Sequence, residues 1–232
     1  MKTLYKNYDL SVDKAYIIRI KGNSISEPLA QRCAKSCERV GMSYELWDAY
    51  DGTKNPIIPP NHLENHLIMN MIKIGSHYVS RGEIACALSH ISLWSKCLEI
   101  EKPIVILEHD SIMVKPYLKH NLFNSICYLG SDEQVNHGWN VFLTPPHGSD
   151  GNNYHFICRA HAYAIDPTIA RSLLCYVLKY GITCSLDMFI RADIFPIHQS
   201  GVYAYDVRGS ETTIKNRPEE GNVILRNEDL SR

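Results

Sequence analysis

A chain of 232 residues, 45% hydrophobic and 21% charged, is long enough for one large domain and too apolar to remain unfolded. Its formal net charge of −1 leaves no global basic field to attract nucleic acid or an anionic membrane. No apolar stretch approaches the length of a membrane span.

In chain order, Ala15 to Ile20 (A-Y-I-I-R-I) reads as a short strand, followed by a polar turn to Ser26. Pro28 fits the first turn of a helix on which Leu29, Ala30, Cys33, Cys37 and Val40 recur at helical spacing, with Gly41 as the stop. Tyr44 to Trp47 returns as a strand and completes a βαβ unit, the opening of a nucleotide-binding α/β sheet. Residues 53–79 give no clear assignment. Ser80 then caps a helix whose Ile84, Ala87, Leu88, Ile91, Trp94 and Leu98 form one apolar stripe.

Next comes a strand of Ile104, Val105, Ile106 and Leu107, apolar on both faces as a buried parallel strand would be. Further strands are expected at 125–129, 140–144, 161–165 and 193–197, with a helix starting at Asp166-Pro167. No repeat or linker divides the chain. A single domain over 1–232 is expected, with an N-terminal extension over 1–13 and an exposed, mobile tail over 217–232.

The eight cysteines never form C-x-x-C, and no signal-peptide pattern precedes them. They read as buried free thiols of a cytoplasmic protein rather than a disulfide framework or a zinc site. The Lys2, Lys6, Lys14, Arg19 and Lys21 cluster reads as a solvated face. P-loop, dinucleotide-fingerprint and hydrolase-elbow patterns are absent.

The chemistry concentrates where the 104–107 strand ends. Glu108 and Asp110 emerge at its carboxyl end, the place where open α/β sheets bind ligands. Two carboxylates one residue apart can share a divalent cation, and hard oxygen ligands suit Mg²⁺ or Mn²⁺ carrying substrate phosphates. A metal-assisted enzyme acting on a phosphorylated donor is the expectation.

The segment G-E-I-A-C-A-L-S-H-I-S-L-W at 82–94, followed by I-V-I-L-E-H-D at 104–110, resembles the signature of glycosyltransferase family 25. That signature typically reads G-E-x-G-C-x-x-S-H-x-x-x-W, then I-L-E-D-D. The opening A-Y-I-I-R-I and the W-D-A-Y-D-G loop at 47–52 are similar to the family's first strand and its A-x-D-G motif. H-A-Y-A-I-D-P at 161–167 resembles the segment that closes over the donor, and the likeness extends to Thr212-Thr213-Ile214.

The resemblance implies an α/β fold of GT-A type, the nucleotide-diphospho-sugar transferase fold, with a mixed, mostly parallel central sheet flanked by helices. It implies inverting transfer of a hexose or pentose from a nucleotide sugar, of UDP type, to an acceptor hydroxyl. Acceptors in the family include lipopolysaccharide cores and hydroxylysine. The E-H-D-S-I-M-V-K-P variant resembles tailed-phage members more, which adds hydroxymethylated cytosine in phage DNA as an acceptor.

Two departures stand out. His109 replaces the family's middle acid, and G-N-S-I-S-E replaces the arginines after the first strand, leaving Arg32 as the nearest. A degenerate relative that binds a sugar nucleotide without turnover is the alternative.

On this basis Glu108 and Asp110 are expected to hold Mn²⁺ or Mg²⁺, with His198 as a late third ligand. Glu83, Ser89, His90 and Tyr163 are expected near the donor. Asp187, in C-S-L-D-M-F, is the expected base on the acceptor hydroxyl, since apolar neighbours would bring it inside and lift its pKa. The alternative role for Glu83 is support of the helix N-terminus; for Asp187, an N-cap to a helix starting at Met188. His62 and His66 have helical i,i+4 spacing and read as surface residues, and Trp94 reads as core.

Overall fold

The computed structural model describes residues 10–64, 66–74, 79–132, 157 and 160–206. The expected strand at 140–144, residues 1–9 of the 1–13 extension and the tail over 217–232 lie outside the described residues.

Strand β1 (Ala15–Arg19), helix α1 (Ser26–Arg39) and strand β2 (Tyr44–Asp48) form the expected βαβ unit. Pro28 sits in the first turn of α1, and the helix stops where Gly41 adopts φ 71°, a left-handed conformation that costs glycine little. A 3₁₀ turn at Asn61–Leu63 and the short α2 (Leu67–Asn70) occupy the stretch that gave no clear assignment.

Helix α3 (Arg81–Ile100) begins with a capping box: the Glu83 backbone N–H donates to the Ser80 hydroxyl, while the Glu83 carboxylate accepts from the Ser80 N–H. Strand β3 (Ile104–Glu108) follows, then β4 (Ser111–Met113), β5 (Ile126–Asp132) and β6 (Ala162–Ile165). Helix α4 (Pro167–Tyr180), capped by Asp166, is followed by the one-turn α5 (Leu186–Phe189) and β7 (Ile197–Asp206).

The seven strands make one sheet in the order β2-β1-β3-β6-β5-β7-β4. β1 runs parallel to β2 and β3, and β5 runs parallel to β7. β6 is antiparallel to both its neighbours, and β4 is antiparallel to β7. The sheet is therefore mixed rather than mostly parallel: only the β2-β1-β3 half, joined by helical crossovers, keeps one direction. The strand expected at 193–197 is also corrected. Residues 191–195 close a turn in which the Ile194 and Phe195 N–H groups donate to the Arg191 carbonyl, and Pro196 has no N–H, so β7 starts at Ile197.

Both faces of the sheet are covered, and strand parity sorts the core. Tyr16, Ile18, Ile104, Ile106 and Tyr163 pack with α3 and α4, whereas Ala15, Ile17, Val105, Leu107 and Ala164 pack with α1. Continuing the alternation, Glu108 falls on the α3 side. Among the described residues no helix is long and apolar enough to cross a membrane, and every described cysteine is free, with Cys175 exposed.

Candidate active site

The carboxyl ends of β1 and β3, the loop after β2 and the first half of α3 enclose a cleft of about 610 Å³, including open solvent at its mouth. Ile18, Arg19, Tyr50, Cys86, Glu108 and Asp110 contribute to its walls. Two contacts fix the far wall. The Tyr50 N–H donates to Ser89 Oγ at 3.0 Å, and that hydroxyl donates to the Ala85 carbonyl at 2.7 Å. Gly52 presses so close to α3 that an added Cβ would stand 2.8 Å from both Ala85 Cβ and the Arg81 carbonyl oxygen.

The acidic wall is pinned from the residue that precedes β6. The His161 carbonyl accepts the Glu108 N–H at 2.8 Å and the Ser111 hydroxyl at 2.6 Å, so both ends of the His109–Asp110 turn are fastened to one atom. Behind Glu108 lies a polar network buried in the core. His90, 0% exposed, has Nε2 3.2 Å from Glu108 Oε1; an ionised carboxylate only accepts, so this nitrogen carries the hydrogen. The Tyr163 hydroxyl donates to His90 Nδ1 at 2.9 Å and accepts from Trp94 Nε1 at 3.0 Å. Cys86, one turn before His90 on α3, places its thiol 3.7 Å from the same Glu108 oxygen. The Glu108 side chain keeps 28% of its surface exposed, so it faces the cleft as well as the network.

The two acids are driven apart electrostatically. Burial pushes the Glu108 carboxyl up, but the hydrogen bond and field of His90, with His109 and His161 behind it, outweigh burial and hold it down at about 2. Burial, then the charges of Glu108 and Asp206, lift Asp110 to about 8. Asp110 Oδ1 is buried and accepts no hydrogen bond. Asp187 is also raised, by burial and by Glu108, although the Ser185 hydroxyl (2.6 Å) and the Met188 N–H (3.0 Å) both donate to its Oδ1. It is the second residue of α5, whose N-cap is Ser185, so the helix starts before Met188.

Of the residues singled out from sequence, Glu108, Asp110, Ser89 and His90 line the cleft, and Asp187 lies within electrostatic reach of Glu108. Tyr163 is fully buried behind His90, Trp94 is core as expected, and Glu83 is engaged in its capping box. His62 packs edge-on against Trp47 at 4.6 Å. His198 is not brought to the cluster. The strand registers set it level with Cys127, Ala164 and Val105, three strands from β3 and three residues short of Glu108; at ~4.8 Å per strand that is roughly 14 Å across the sheet alone.

Sequence reasoning missed Cys86 and Asp206. The i,i+4 spacing of Cys86 and His90 was a usable signal, hidden by treating every cysteine as core filling. Asp206 reaches the site only because β7 pairs it with Ser111, which no local pattern announces.

A search of the curated proteins finds no match. The profile described as "Glycosyltransferase family 25 (LPS biosynthesis protein)" matches residues 14–141, more than half of the chain and the whole stretch from β1 through the acidic wall. The chain belongs to glycosyltransferase family 25, which implies a nucleotide-sugar donor and an acceptor.

Proposed function

We propose that the protein is a cation-assisted, inverting glycosyltransferase of GT-A type, a single domain that moves a sugar from a UDP-type nucleotide sugar to a hydroxyl of an acceptor glycan. One observation carries this reading: two acids at the carboxyl end of β3 face a cleft, one of them with a buried oxygen that accepts nothing. An orphaned carboxylate oxygen beside a second carboxylate fits a hard divalent cation, Mg²⁺ or Mn²⁺. When bound there, such a cation supplies charge neutralisation to the departing diphosphate.

The remaining work falls to the chain's own groups. His90, held from behind by Tyr163 and Trp94, aims Glu108 into the cleft. Ser89 keeps the 49–53 loop against α3 and so shapes the donor cleft, while Glu83 fixes the end of α3 beside it. Asp187, with its carboxyl raised by burial, takes the proton of the acceptor hydroxyl as the displacement begins. Arg19, ion-paired to Glu27 and Asp48, stiffens the cleft's edge at the end of β1.

The test is nucleoside-diphosphate release from a panel of nucleotide sugars with Mn²⁺, offered either lipopolysaccharide-type oligosaccharide or hydroxymethylated DNA. Transfer to the oligosaccharide that disappears in Asp110→Asn is expected. In Asp187→Asn, donor binding should persist without transfer. Transfer to DNA alone would replace the acceptor class; donor binding with neither hydrolysis nor transfer would overturn the enzymatic reading in favour of a sugar-nucleotide-binding protein.

A further inference from the structure

Three ligand-type atoms converge on the cleft side of α3: Cys86 Sγ, His90 Nε2 and Glu108 Oε1, all within 4.8 Å of one another. We infer that they form a second cation seat, selective for a borderline or soft ion such as Zn²⁺, Co²⁺ or Cd²⁺, and distinct from the hard-ion position at Asp110. It shares Glu108 with the cation proposed above but stands without it, because its ligands and its readout are separate.

The two separations to Glu108 fit the ion. Zinc bonded tetrahedrally at ~2.0–2.3 Å keeps its ligand atoms roughly 3.3–3.7 Å apart. His90 Nε2 lies 3.2 Å and Cys86 Sγ 3.7 Å from the same Glu108 oxygen. Three protein ligands leave the fourth position to water or a phosphate oxygen from the cleft, which both Cys86 and Glu108 line. The ligand mixture is the selectivity device, since Mg²⁺ and Mn²⁺ avoid sulfur while zinc takes thiolate, imidazole and carboxylate together.

The outer shell is already built. Coordination through Nε2 moves the ring hydrogen to Nδ1, where the Tyr163 oxygen, 2.9 Å away and itself anchored by Trp94, accepts it. Cys86 binds as thiolate, so one proton leaves to solvent for each ion bound and the site gains one positive charge. Strand parity and helical spacing produce the arrangement: Glu108 falls on the α3 face of β3, and Cys86 and His90 are one turn apart on the helix that covers it.

The full chain, freed of metal and loaded with one equivalent of Zn²⁺, should show one sulfur and the rest nitrogen or oxygen in zinc X-ray absorption. With Co²⁺ it should show a thiolate charge-transfer band that Zn²⁺ bleaches. Cys86→Ala should lose the sulfur scatterer and the band, whereas Cys175→Ala, which alters an exposed thiol, should keep both. Tyr163→Phe should weaken zinc by about 10-fold or more while retaining the sulfur. Zinc bound without sulfur, with two or more sulfurs, or equally well by Cys86→Ala would overturn the assignment, as would no binding at all. None of these readouts requires sugar transfer, so failure here and failure of the enzymatic reading are told apart.

Discussion

Two buried histidines stand at opposite ends of the same sheet, and the difference between their carboxylate partners separates scaffold from chemistry. At the amino end of β3, His120 lies 3.0 Å from the Ser125 carbonyl and 3.7 Å from Asp166, with Tyr117 on its other nitrogen at 3.1 Å. Asp166 spends both its oxygens: Oδ1 caps α4 through the Thr168 and Ile169 N–H groups, and Oδ2 accepts from the Ser125 N–H. Burial raises its carboxyl, but the nearby His120 ring and hydrogen bonds from three backbone amides win and hold it below the usual range. At the carboxyl end, His90 satisfies Glu108 while Asp110 is left with a buried oxygen unspent and its carboxyl raised to about 8. Saturated donors make a rivet; a deficit makes a socket.

The largest expected contrast is catalytic. Asp110→Asn should lower transfer by about 10³-fold or more, equivalent to the several kcal/mol that charge neutralisation supplies, with the far-ultraviolet circular dichroism unchanged. Asp166→Ala should leave turnover per folded molecule close to that of the parent. Its loss is stability, by about 2–4 kcal/mol in denaturant unfolding, because a helix cap goes and the Ser125 N–H loses its acceptor. Equal catalytic losses in the two variants would break the comparison.

pH sharpens it. Asp110 has a folded pKa of about 8 against an ordinary 3.8, so between those limits the folded state holds the extra proton and stability falls as pH rises. Without added metal, the melting temperature of Asp110→Asn should therefore exceed that of the parent at pH 8, and the gap should close toward pH 4. Asp166 has the opposite sign: its lowered carboxyl stabilises the fold above about pH 4, and that contribution fades on further acidification. A gap that stays constant across the pH range would show that Asp110 carries no buried proton. The smallest effect is mechanical. Gly52→Ala should cost about 1–3 kcal/mol, from a Cβ forced against Ala85 and the Arg81 carbonyl, and wild-type stability in that variant would mean the loop yields freely.

How far the chain could be read follows from which signals are local. Ile104 to Leu107 announced a strand buried on both faces, Ser80 with Glu83 announced a capping box, and Asp166-Pro167 announced a helix start; each is settled within a few residues. The direction of β6 was not legible, because A-Y-A-I packs equally well either way and its partner is chosen by chain returning from a distance. Glu108 and Asp110 could be named because a greasy run ends on them. Their unequal fates could not, since these depend on His90 from α3, the His161 carbonyl just before β6 and Asp206 from β7. His198 was misplaced for the same reason: its nearness to β3 is a matter of register, invisible along the chain.

The doubly accepting carbonyl of His161 has a mechanical corollary. A two-residue hinge whose start and finish hang from one oxygen cannot swing without dragging its neighbouring strand, which is locked antiparallel on both edges. Any clamping of the protein around an arriving sugar nucleotide must then be performed by the opposite jaw, where Tyr50 hangs from Ser89 by one amide, leaving the acidic floor as the fixed anvil.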